Sequence, residues 1–179
     1  MKLTWFGGTT IRIYIGGQIF VADPQLAPEG IDRAELEAGA NRVLRLAGAD
    51  EALVDLDPAE WRPRRIPRAI DEEGPPPPVH AYRIAPGAML LDAVGEPPLV
   101  VVSDQAPSFG RWADGAVVML LGVGEAMSAL AEGLLDASRP KLIALAGDEI
   151  AIDFAVAALK ENLGGAGLVS MEKGLALEV

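Results

Sequence analysis

The stretch Lys2–Pro24, KLTWFGGTTIRIYIGGQIFVADP, constrains this chain more than any other part of it. Leu3–Phe6 is a short strand ended by Gly7-Gly8. Thr10–Ile15 sets Ile11, Ile13 and Ile15 against Arg12 and Tyr14, the period-two pattern of a strand with one buried face. Gly16-Gly17 supplies the two positive-φ residues of a tight hairpin. The return strand Gln18–Ala22 delivers Asp23-Pro24 at its carboxyl end, where proline, lacking an N–H, stops the ladder.

Downstream of this hairpin the pattern is α/β. From Ile31 the period changes to 3.6: Leu36, Ala40, Val43, Leu44 and Ala47 share a face, with Asp32 as N-cap, which predicts a helix ending at Gly48. Ala52–Val54 reads as a short buried strand leading into Asp55–Trp61. Arg62–Pro78 combines four arginines, the acidic run Asp71-Glu72-Glu73 and the prolines Pro75–Pro78, and is expected to be an exposed loop whose charges pair with one another. A second hairpin follows over Val79–Ile84 and Ala88–Leu91. Leu99–Ser103, LVVVS, is the continuous β-branched run of a strand covered on both faces. Strands at Ala116–Leu121 and Lys141–Ala146 alternate with helices at Glu125–Ala137 and Glu149–Leu163, the second capped by Asp148. Leu168–Ser170 and Leu175–Leu177 finish as edge strands.

At 179 residues the chain is expected to form one domain, and with half its residues apolar but only 5% aromatic its core must be aliphatic. A net charge of −11 argues against gripping nucleic acid or an anionic membrane. The absence of cysteine removes disulfides and thiolate metal sites. No secretory-signal pattern opens the chain and no apolar run is long enough to span a bilayer, so a cytoplasmic protein is expected.

Asp23, Asp55, Asp57, Asp104 and Asp148 each sit at or just past the carboxyl end of an expected strand, the edge at which open α/β sheets bind ligands. Carboxylates gathered there repel one another and call for a hard cation, Mg²⁺ or Mn²⁺. Local roles compete, since aspartate also ends strands and caps helices, and Asp148 is explained by capping alone. His80 is the single histidine, which excludes a histidine-rich zinc centre. Gly122-Val123-Gly124 before a helix could cradle an anion, but tight strand-to-helix turning accounts for it better. Ser103 and Ser108 lack a Gly-x-Ser-x-Gly elbow.

The opening Thr4-Trp5-Phe6-Gly7-Gly8-Thr9-Thr10, its hairpin and the terminal Asp23-Pro24 resemble the start of the metallo-β-lactamase superfamily, in its ascorbate-6-phosphate-lactonase-like branch. The resemblance implies an αββα sandwich, here shortened and spanning residues 1–179. Gly8 stands where that family usually has histidine. Ser103-Asp104 is similar to its Gly-Asp pair, and Ala146-Gly147-Asp148 occupies the place of another metal-binding histidine. Across the family's His-x-His-x-Asp-His loop two registers are open. In one, Leu56, Pro58, Glu60 and Trp61 replace the ligands; in the other, Asp55, Asp57 and Glu60 fall on ligand positions.

The resemblance therefore implies a metal-dependent-hydrolase scaffold without its zinc ligands. The expected function is a non-catalytic binding or assembly module with no catalytic residue and no cofactor, acting as a homo-oligomer or with a protein partner. A mean hydropathy of +0.26 motivates the oligomer. The alternative is a hydrolase of an ester, lactone or phosphoester that holds Mg²⁺ or Mn²⁺ on Asp23, Asp55, Asp57, Glu60, Asp104 and Asp148.

Overall fold

The computed structural model describes residues 1–46, 48, 50, 52–64, 77–103 and 105–179. The opening folds as β1 (Lys2–Gly7), β2 (Thr10–Ile15) and β3 (Gln18–Ala22), followed by helix α1 (Arg33–Glu37) and strand β4 (Arg42–Leu44). Next come β5 (Val54–Asp55), β6 (His80–Ala85), β7 (Ala88–Asp92) and β8 (Leu99–Val102). The last third alternates: β9 (Val117–Gly122), α2 (Ala126–Ala137), β10 (Leu142–Gly147), α3 (Glu149–Leu159), then β11 (Gly167–Ser170) and β12 (Ala176–Glu178).

These strands form two mixed sheets, one five-stranded in the order β12-β1-β2-β3-β4 and one seven-stranded in the order β11-β10-β9-β8-β7-β6-β5. The two final strands close the edges of different sheets, β11 on β10 and β12 on β1. Ile11, Ile13 and Ile15 are fully buried and pack in one cluster with Leu91, Leu99, Val101 and Met119, so the main core lies between the sheets. The opposite face of the seven-stranded sheet, through Leu90, Val100, Val118, Leu120 and Ile143, packs under α2 and α3. Strands β8 and β9 are therefore covered on both sides, which is why their sequences are unbroken apolar runs rather than alternations. No helix among the described residues is long and apolar enough to cross a membrane.

Gly16 and Gly17 take φ of 56° and 76°, as the tight hairpin requires. Gly16 also has no room for a side chain, because a Cβ there would lie 2.7 Å from Val79 Cγ2 and 3.0 Å from Ala93 Cβ. This turn is where the first sheet seats on the second.

Three expectations from the sequence are corrected. The helix expected across Ile31–Gly48 is only α1, and its second half is strand β4. Asp32 does cap it, accepting the Ala34 N–H at 2.8 Å. Gly39 then turns left-handed at φ 69°, and Arg42, Val43 and Leu44 pair in parallel with Phe20, Val21 and Ala22. Backbone pairing along β3 outweighs the helical periodicity of an isolated segment. The buried strand expected at Ala52–Val54 is instead the edge strand β5, with Val54 64% exposed. Of the loop expected over Arg62–Pro78, residues 65–76 lie outside the described residues. Arg64 does not pair with a loop carboxylate but with Asp92 of β7, Nε to Oδ2 at 2.7 Å.

Candidate functional site

Strands β8, β9 and β10 run parallel, so their carboxyl ends share one edge. A cavity of about 470 Å³ opens there. Its walls come from Ser103 after β8, Leu121 and Gly122 at the end of β9, and Ala146 and Gly147 at the end of β10. Gly8 and Thr9, in the turn between β1 and β2, bring the first sheet to the same space, as do Trp5 and Lys173. That volume suits a small organic molecule.

Much of the space exists because the strand ends carry small residues. A Cβ at Gly147 would lie 2.5 Å from the Gly122 carbonyl oxygen and 2.7 Å from Met127 Cε, so this glycine serves the close approach of β10 to β9 and α2. Gly124, at φ 58°, makes the turn into α2. The Gly-x-Gly element is thus a strand-to-helix turn.

The polar groups are few. The Trp5 indole N–H donates to the Gly8 carbonyl at 3.0 Å, and Lys173 Nζ sits 5.6 Å from the centre of the Trp5 ring, a cation–π distance. Thr9 Oγ1 is enclosed and, among the described residues, has no hydrogen-bond partner. Among the described residues no side chain caps α2, whereas Asp148 caps α3 by accepting the Ala151 N–H at 2.7 Å. Ser103 donates its hydroxyl to the Gly87 carbonyl at 3.0 Å.

Of the carboxylates expected at a metal site, Asp148 alone among the described residues lines this cavity, and its Oδ1 is committed to α3. Asp23 is fully buried at the end of β3 in a left-handed conformation, φ 46°. Its Oδ1 accepts from the Leu46 amide and from Gln25 Nε2, both at 3.2 Å, which ties β3 to the chain beyond β4. Asp55 pairs with Arg83 at 3.0 Å and is 78% exposed. Asp57 accepts the Ala59 N–H at 2.9 Å, and Glu60 is exposed. Asp55 and Asp57 line a different cavity, with Arg83 and Pro86. Asp104 lies outside the described residues. Among the described residues no three His, Cys, Asp or Glu side chains come together as metal ligands would. Among the described residues the donor set around the cavity is one engaged carboxylate and no imidazole, which does not fit zinc.

His80 sits at the opposite end, at the start of β6, stacked on Tyr82 with ring centres 6.1 Å apart. Burial, and next the Arg64 guanidinium, lower its pKa below the ordinary 6.5; Asp92 pulls the other way without prevailing, and Arg42 adds to the lowering.

Sequence reasoning did not single out Trp5, Thr9 or Lys173 as site residues. Trp5 and Thr9 stood inside a recognisable opening but carry no ligand chemistry of their own. Lys173 gave no signal. It reaches the cavity because the Gly174 N–H donates to the Trp5 carbonyl at 2.7 Å, folding the link between β11 and β12 over β1.

Fold and site together define a mixed α/β protein with a strand-end cavity. No family model matches the chain, nor does any curated protein or any solved structure.

Proposed function

We propose that this chain is a shortened metallo-β-lactamase-like scaffold that has lost its zinc centre and works as a non-catalytic module, binding a small and mostly apolar molecule in the strand-end cavity. One convergence supports the reading. By resemblance, Gly8 and Ala146-Gly147-Asp148 stand at two of the family's metal-binding places and Ser103 stands at the glycine beside its metal-bridging aspartate, and all of them line the same cavity; Asp104, the counterpart of that aspartate, lies outside the described residues. Far apart in sequence, they line one space, to which they bring glycine, serine, alanine and one capping aspartate. Among the described residues, what else lines the volume is mostly apolar, including Leu121, Val123 and Leu130, with one cation, Lys173. Such a site has the means to bind and little with which to activate water.

The test is a titration of the native protein with anilinonaphthalene sulfonate, an apolar dye with one anionic group, following energy transfer from tryptophan. The expected result is saturable one-to-one binding, unchanged by EDTA and lost in Ala126→Trp, which fills the mouth from an exposed position on α2. No saturable binding, or equal binding by Ala126→Trp, overturns the reading. A melting temperature raised by millimolar Mg²⁺ or Mn²⁺ and reversed by EDTA establishes the hard-metal hydrolase instead. Self-association is a separate proposal, decided by light scattering at micromolar concentration.

A further inference from the structure

A second cavity, of about 550 Å³, shares no lining residue with the first. Its walls include Trp61, Arg62, Phe109, Arg111, Trp112 and Asp114. In a chain with an aromatic content of only 5%, this gathers two of the three tryptophans and a phenylalanine in one place. We infer that this groove binds an extended, proline-rich peptide carrying acidic residues. The inference stands independently of the strand-end cavity.

Three observations carry it. Phe109 and Trp112 lie nearly parallel, with planes 20° apart and ring centres 6.3 Å apart, and both are half-buried. Ridged aromatic surfaces of this kind receive pyrrolidine rings, and a proline-rich chain is already extended, so ordering it costs little entropy. Second, Trp61 is only 6% exposed, yet among the described residues its indole N–H has no acceptor. A polyproline helix makes no internal hydrogen bonds, so all its carbonyls are free to accept. Trp112 differs, since its own N–H already donates to the Ser108 carbonyl at 3.0 Å.

The third observation is charge. Arg62 donates Nη1 to the carbonyls of Ala59 and Trp61, which fixes it beside the groove, and no carboxylate pairs with it among the described residues. Arg111 is 95% exposed and approaches Asp114 only at 3.7 Å. The other oxygen of Asp114 is taken by the Arg139 N–H at 2.8 Å. The described lining carries the guanidinium groups of Arg62 and Arg111 against the one carboxylate of Asp114, an excess of positive charge on a chain of net charge −11, which favours acidic ligands at this spot. Single-stranded nucleic acid also stacks on aromatic rings, but it needs a basic groove that tracks successive phosphates. Two arginines on an acidic protein do not provide one.

The experiment is fluorescence polarisation of a fluorescein-labelled peptide of consecutive prolines flanked by glutamates, titrated with the full chain. Saturation at micromolar protein is expected, with affinity weakened about tenfold by Trp112→Ala. Arg111→Glu, at a fully solvated position where folding is not at stake, weakens it about fivefold, and flanking the prolines with lysine has a similar effect. The inference is overturned by an absence of saturation at about a hundredfold higher protein, by unchanged affinity in Arg111→Glu, or by tighter binding of an oligothymidylate than of the peptide.

Discussion

The two ends of the seven-stranded sheet are built on opposite plans. At the carboxyl end, β8, β9 and β10 finish in small or apolar residues, leaving about 470 Å³ open beside an uncapped helix. At the amino end, where β6 begins and β7 finishes, charge is used up in contacts. Arg64 clamps Asp92 through its side chain at 2.7 Å and through the backbone carbonyl at 3.0 Å. Glu96 accepts the Gly16 N–H at 2.7 Å and pairs with the amine of Met1 at 3.2 Å. The contrast teaches that the described titratable residues mark where this protein is held together, and that few of them line the candidate site.

The predictions that bear on this contrast run from large to small. Asp23→Ala is the severest, because it removes a fully buried acceptor from the Leu46 amide and forces alanine into a left-handed conformation. A loss of about 3 kcal/mol is expected from urea unfolding, while Asp23→Asn costs less because asparagine tolerates that conformation. A loss below about 0.5 kcal/mol in the alanine variant would deny Asp23 its structural role. Arg64→Ala strands the nearly buried Asp92 carboxylate and is expected to cost about 2 kcal/mol, less than a fully buried pair because the arginine is partly solvated. Asp148→Ala should cost about 1 kcal/mol, the value of an N-cap, and should leave dye binding intact. If dye binding disappears, the aspartate belongs to the site and not only to α3.

The smallest effect is on pH dependence. His80 has its pKa lowered in the folded state, so as pH falls through 6.5 the unfolded chain takes up the proton first. Its contribution is therefore harmless above 6.5 and stability is lost below it. Unfolding midpoints measured at about pH 7.5 and about pH 5.5 should differ less in His80→Gln than in the native chain. An identical difference in the two would mean that His80 is as readily protonated folded as unfolded.

Much of the fold was legible because its signals are local. The alternation in Thr10–Ile15, the apolar run at Leu99–Val102 and the caps at Asp32 and Asp148 each depend on residues close in sequence. What was not legible depends on distant pairing. Arg42–Leu44 reads as helix until β3 presents it with an unpaired edge, and Val54 reads as buried until β5 proves to have a partner on one side only. The candidate site was legible in part. Asp148 was noticed as a residue at a strand end and Ser103 as a candidate nucleophile, and both line the cavity, but Asp23, Asp55, Asp57 and Glu60 are held apart by the hydrogen bonds, ion pairs and edge positions described above, and Asp104 lies outside the described residues. The cavity itself had no motif, because glycine and alanine announce nothing until the strands that carry them are side by side.

The most direct test sets the two ends against each other in one experiment: dye titration and urea unfolding of Ala126→Trp and Arg64→Ala in parallel. The division of labour predicts that Ala126→Trp abolishes binding while its stability stays within about 0.5 kcal/mol of the native chain, and that Arg64→Ala loses stability while binding with native affinity. Binding that survives in Ala126→Trp, or that vanishes in a still-folded Arg64→Ala, would contradict it.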